Sequence, residues 1–188
     1  MTASAEERLK VQFPPSMRNF LKVHNGLYLP EDVAILGVPP VSESTNLDVV
    51  TATLLDRKSW EPENLITITS DGTGDAWVLL PSLVDERGEY PVAKIDHETG
   101  EIMSYGASSY ERFLWFQLDL LQRFFEPDGK GKQAYYQYIG MASEDWDDEE
   151  DPEWLDEEPY LPWPYKDLSW ILQRDPNLVR LRPLDIEG

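Results

Sequence analysis

The sequence predicts an α+β chain, a mainly antiparallel sheet flanked by helices, with an acidic, tryptophan-rich C-terminal extension. Three observations carry this expectation. Helical spacing of apolar residues opens the chain and returns near residue 110. Between those segments, β-branched stretches alternate with compact turn clusters. After about residue 127 the composition shifts to carboxylates and tryptophans. The expected division is a domain over residues 1–127 and an extension over 128–188 that packs on the domain or on a partner.

Taken in order, Ala3 to Val11 reads as a short opening helix. Pro14-Pro15 starts a second one, because proline in a first helical turn gives up an N–H that would have no partner there. Met17, Phe20, Leu21 and His24 share one face of it, and Asn25-Gly26 supplies a stop. Val33 to Val38 is strand-like and runs into Pro39-Pro40. Leu47, Val50, Leu54 and Arg57 suggest a helix from about Asn46 to Lys58. Leu65 to Thr69 and Ala76 to Leu80 form a hairpin around the turn cluster Ser70 to Asp75. Pro91 to Ile95 and Ile102 to Tyr105 form another around Asp96 to Glu101.

Ser108 with Glu111 three residues later has the form of a capping box. The helix it opens is apolar on nearly every side from Phe113 to Phe125, which predicts burial against the sheet and against something else besides. Glu126-Pro127-Asp128-Gly129 ends it.

At 188 residues the chain can bury a sizeable core, and 41% hydrophobic with 12% aromatic residues suits a folded protein. Its 16 Lys and Arg stand against 36 Asp and Glu, a formal net charge of −20. A field of that sign repels phosphate backbones and anionic lipid, so neither nucleic acid nor membrane is an expected partner. The same field attracts a basic protein and speeds the encounter. A plainer use of the charge is solubility. Without cysteine, disulfides, thiolate catalysis and cysteine-based zinc sites are excluded. Met1 to Lys10 is polar, and no run approaches the roughly 20 apolar residues of a membrane span, so a cytoplasmic location is expected.

Four pieces, in order, carry a family resemblance. Phe13 to Gly26 resembles the opening helix of SUKH domains, where Leu-Pro-x-x-Tyr-x-x-Phe-Leu followed by Asn-Gly is usual; Met17 stands where an aromatic is common. Asp71-Gly72-Thr73-Gly74-Asp75 looks like the family's Gly-Asp hairpin, and Pro91-Val92 with Asp96-His97-Glu98 is similar to the next one. Ser108 to Phe125 matches the closing helix. The resemblance covers about Glu6 to Phe125 and implies helices around a mainly antiparallel sheet. It also implies a non-catalytic role. Bacterial relatives bind and silence toxins, often nucleases, as immunity proteins, and a fungal relative regulates cell-wall assembly.

The residues themselves offer few chemical sites. His24 at a helix C-terminus suits the dipole and reads as a capping or core histidine. Asp96-His97-Glu98 are consecutive turn residues pointing in different directions, which suits Asx-type hydrogen bonding better than a triad. Asp71 and Asp75 lack the spacing of a calcium loop, so Asp75 reads as a structural hydrogen-bonder. A hydrolase built on Asp71, Asp75, Asp96 and His97 is the enzymatic rival, which alanine at His97 should abolish. No phosphate loop, dinucleotide fingerprint or nucleophile elbow occurs, and no catalytic residue, metal or cofactor is expected.

The sharpest candidate is the acidic stretch. Residues 141–188 hold 15 acidic and 4 basic residues, a net of −11, and four of the seven tryptophans. Carboxylates interleaved with indoles can imitate a nucleic-acid strand before a basic cleft, or simply form a solvated face. Trp146, Asp147, Asp148, Glu149, Glu150 and Trp154 are the expected partner contacts. The function expected is an immunity protein that neutralises one basic toxin domain by binding it, with a regulatory scaffold as the alternative.

Overall fold

The computed structural model describes residues 1–28, 34–39, 48–58, 64–70, 74–127, 130, 132 and 168–181. Among these residues the helices are α1 (Thr2–Leu9), α2 (Pro15–Val23), α3 (Val49–Asp56), α4 (Tyr110–Phe124) and α5 (Leu168–Arg174). The strands are β1 (Leu27–Tyr28), β2 (Ala34–Ile35), β3 (Ile66–Thr67), β4 (Thr69–Ser70), β5 (Ala76–Leu79), β6 (Val92–Ile95) and β7 (Ile102–Ala107). Every pairing among them is antiparallel, in the orders β1-β2-β4 and β3-β5-β6-β7. Ile68 stitches the two sheets together: its N–H donates to Trp77 and its carbonyl accepts from Leu36, both at 2.9 Å. The α+β class expected from the sequence is the one observed.

Along β5 the side chains alternate. Trp77 and Leu79 join the main core with Phe13, Met17, Val50 and Phe113, while Ala76, Val78 and Leu80 join a smaller one with Leu65, Ala93 and Ile95. Both sheet faces are therefore buried at this strand, where antiparallel sheets often leave one face wet. Trp77 lies against Phe113 at 5.5 Å between ring centroids and covers Gly106, where any added Cβ would overlap the indole.

Helix α2 begins at the expected proline, but Pro14 at its N-cap has no side-chain oxygen to offer. Glu89 supplies it from the loop before β6, accepting from the Ser16 N–H at 3.0 Å and the Ser16 hydroxyl at 2.5 Å. Glu6 closes the other side, accepting from the Phe13 N–H at 2.7 Å and from Arg18 Nε at 2.8 Å. The helix stops on His24 in extended backbone, so the positive φ of 95° falls at Gly26, after the helix rather than at its cap. Asn25 explains this placement. Its amide pairs with the Val38 main chain in both directions, at 2.8 and 2.9 Å. Gly37 lies so close that a Cβ there would come within 2.5 Å of the Asn25 carbonyl oxygen.

Two expected elements shift. Helix α3 is capped by Asp48, which accepts from Val50 and Thr51 N–H groups at 2.8 and 3.0 Å. Its inner face is Val49, Val50, Ala52 and Thr53, whereas Leu54, part of the spacing that suggested the helix, is exposed with Leu55. The reason is that Thr53 is recruited inward, its hydroxyl accepting from the Thr67 N–H at 3.0 Å. In α4 the N-cap is Ser109, not Ser108; its hydroxyl accepts from the Arg112 N–H at 3.2 Å. Ser108 is occupied elsewhere.

Candidate protein-binding surface

Trp146, Asp147, Asp148, Glu149, Glu150 and Trp154 lie outside the described residues, as does Asp71. The structure does show where the chain leaves for that stretch and where it returns. At the exit, Lys132 N–H donates to the Phe124 carbonyl at 2.7 Å and Lys132 Nζ to the Gln122 carbonyl at 2.8 Å. The Lys132 ammonium thus satisfies the Gln122 carbonyl at the α4 C-terminus, where the helix dipole is negative, and its backbone N–H satisfies Phe124.

On return, α5 and the 3-10 turn Pro176–Leu181 bind the same helix and the start of it. Ile171 and Leu178 are buried in the main core. Asp175, 1% exposed, accepts from the Ser108 N–H at 2.6 Å and the Ser108 hydroxyl at 2.5 Å. This is what Ser108 does instead of capping α4. A buried carboxylate is tolerated when charge-assisted hydrogen bonds satisfy it, and here two converge. Trp170 stacks on Trp115 at 6.1 Å between ring centroids, and the Arg123 and Arg174 guanidinium carbons lie 4.7 and 3.9 Å from the Trp170 ring centre.

Helix α4 divides accordingly. Its inner side, with Phe113, Phe116, Gln117 and Leu120, is buried. Its outer stripe runs Trp115, Leu118 and Gln122, at spacings of three and four that align on a helix. These residues, with Leu121 and Lys132, line an open groove of about 810 Å³. Trp115 is 39% and Leu118 55% exposed, although both are large and apolar. The sequence signal for the groove was the excess of apolar positions around α4, which burial alone does not use up.

The turn residues suspected of acid–base chemistry are brought together, but as a clasp. Asp75 Oδ1 lies 2.9 Å from His97 Nδ1 and accepts from the His97 N–H at 3.2 Å, while Oδ2 pairs with Lys94 Nζ at 3.1 Å. Partial burial pushes the Asp75 carboxyl up, but the His97 and Lys94 contacts outweigh it and hold it below its ordinary range. His97 is raised, first by its hydrogen bond to Asp75. Asp96 Oδ1 accepts from Glu98 and Thr99 N–H groups at 2.7 and 3.0 Å, the Asx pattern expected of this turn. Ligand atoms of Asp75, Asp96 and His97 lie within 4.8 Å of one another, yet a cation there would have to displace the Lys94 ammonium. His24, exposed at the end of α2, donates its N–H to the Phe20 carbonyl and rests its ring 5.6 Å from that of Phe20. Among the described residues, no helix is long and apolar enough to cross a membrane.

A family profile described as SUKH_6, SMI1-KNR4 cell-wall, matches residues 1–114. The chain belongs to the SUKH family. No curated protein matches it in sequence. The SUKH match spans α1 to the first part of α4 and takes in the Asn25-Gly26 clasp on Gly37 and Val38. It ends at Leu114, one residue before Trp115, so the outer groove of α4, the acidic stretch and α5 all lie beyond it.

Proposed function

We propose that this SUKH protein is a non-catalytic binding protein of the immunity type, which neutralises one basic toxin domain by occupying it. The observation that carries the reading is the joining of a SUKH domain to a chain with a net charge of −20. SUKH domains are generally binding or immunity domains rather than enzymes. A charge of that size steers a cationic partner and disfavours nucleic acid and anionic membrane. A cytoplasmic location fits that role. The proposed contacts are Trp146, Asp147, Asp148, Glu149, Glu150 and Trp154, within an extension over 128–188 attached to a domain over 1–127. Indoles supply contact area at little entropic cost, and carboxylates supply complementarity.

The cell-wall wording of the family description favours one second reading, a regulatory scaffold without toxin neutralisation. A pull-down from native cytosol at low and then moderate salt, read by mass spectrometry, separates the two. A single stoichiometric basic partner, lost as salt rises, is expected. Several structural or signalling proteins retained at both salts would replace the immunity reading with the scaffold. Capture of nothing at either salt would contradict both.

A further inference from the structure

We infer that the cleft between the two 3-10 turns Pro81–Leu83 and Pro176–Leu181 binds a small organic acid, one carboxylate on an apolar body. The inference stands independently of the protein-binding reading. The cleft holds about 370 Å³, at the small end of the range for small-molecule sites. Leu83 and Val84, 42% and 53% exposed, form its apolar wall together with Pro91 and Leu181. Exposed aliphatic side chains alone need no explanation, but here they converge on a concavity that also carries a few polar groups.

The charge of the ligand follows from which lining groups still have hydrogen bonds to give. Asp85 is spent. Its Oδ1 accepts from the Arg87 and Glu89 N–H groups and its Oδ2 from the Arg87 guanidinium, at 2.8 to 2.9 Å. The Ser108 hydroxyl is donated to buried Asp175. Ser82, Asn177 and Arg180 remain, and among the described residues none of their side chains has a partner. Arg180 is exposed and has five N–H donors to offer. Asp85 is already neutralised by Arg87, so the Arg180 guanidinium is the unspent charge of the lining and selects an anion. A planar carboxylate matches its fork, and the Asn177 amide and Ser82 hydroxyl are neutral donors for the same oxygens. A cationic ligand would meet no unspent carboxylate, and a dianion would bring a second charge with no second free cation to meet it. Ser82, Leu83, Val84 and Pro91 lie within the family match and Asn177, Arg180 and Leu181 beyond it, so an occupant ties the C-terminal segment to the family's core.

The test uses the full chain with phenylpropionate and, as an uncharged probe of the same shape, phenylpropionamide. Binding is followed at neutral pH by methyl NMR in wild type, Arg180→Gln and Arg8→Gln. Arg8, on α1, is another exposed arginine and lies outside the cleft. Expected are saturable shifts of the Leu83, Val84 and Leu181 methyls with the acid, at a dissociation constant on the order of millimolar. The amide should bind at least about tenfold more weakly, for want of the charge-assisted pair. Arg180→Gln should reduce the affinity for the acid to that for the amide and leave the amide unaltered, while Arg8→Gln changes neither. Because Arg180 is exposed, the variant should keep the wild-type methyl signals of buried Leu79 and Ile95. Cleft methyls that stay unshifted by the acid, or that shift no more than those of Val23 and Leu118 elsewhere on the surface, would overturn the site. Acid and amide bound equally by wild type, or an Arg180→Gln variant that still prefers the acid, would overturn the role of the guanidinium.

Discussion

The region matched by the SUKH family and the segment Leu168–Leu181 reach the same core by opposite means. In the first, most helices and hairpins are set up by neighbouring residues, such as Pro15 at the first turn of α2, Asp48 over α3 and Asp96 folding its own turn, with Glu89 on Ser16 as a long-range addition. In the second, α5 has seven residues, too few to be stable alone. It is held by what it buries, Ile171 and Leu178, and by one carboxylate, Asp175, on Ser108. The difference teaches that the family's core does not stop where its sequence pattern stops. A segment with weak local signals is tied in by few, well-buried contacts, and each of them should matter.

The largest expected effect tests that directly. Leu178 is fully buried, so Leu178→Ala should lower the unfolding free energy of the full chain by about 2–5 kcal/mol. Urea unfolding followed by circular dichroism should show a loss comparable to that of Leu79→Ala in the sheet. A negligible change would make Leu168–Leu181 a dispensable appendage. Next come the two long-range carboxylates. Asp175→Ala and Glu89→Ala should each cost about 1.5–3 kcal/mol, the range for hydrogen bonds to charged groups. A double-mutant cycle sharpens the comparison, since Asp175 should couple to Ser108 but not to Glu89.

A smaller effect of opposite sign is expected at Tyr110. Its ring is fully buried and its hydroxyl has no hydrogen-bond partner among the described residues, so Tyr110→Phe should be neutral or stabilise by up to about 1 kcal/mol. Destabilisation in the same urea assay would mean that the hydroxyl is satisfied. The smallest effect concerns the Asp75–His97 clasp. His97 is raised, so its contribution is present below its ordinary value near 6.5 and is lost as pH rises through the folded value. Asp75 is lowered, so its contribution is present above the ordinary carboxylate range and is lost on acidification. An NMR titration should find His97 raised in wild type and returned to its ordinary value in Asp75→Asn.

The legible parts of the fold were those written locally. Proline pairs, Asn-Gly, turn glycines and alternating β-branched residues placed α2, both hairpins and α4 within a residue or two. What was hidden depends on contacts distant in sequence. Glu89 caps α2 from 73 residues away, and Asp175 takes Ser108 from 67 residues away, which moves the cap of α4 to Ser109. The inward turn of Thr53 on α3, beside an exposed Leu54, depends likewise on the distant Thr67 N–H, from which its hydroxyl accepts. Of the candidate site, the clasp character of Asp75 and Asp96 was readable from their turn positions. The groove was only implied, since an all-round apolar helix does not say which side remains open.

The most direct measurement of the central claim is the association rate of the captured partner across ionic strength. It should be compared between wild type and the fourfold variant Asp147→Asn, Asp148→Asn, Glu149→Gln, Glu150→Gln. Steering by the acidic stretch requires a wild-type rate that falls steeply with salt, and a slower, flatter response in the variant. Identical rates and identical salt dependence in the two proteins would contradict it.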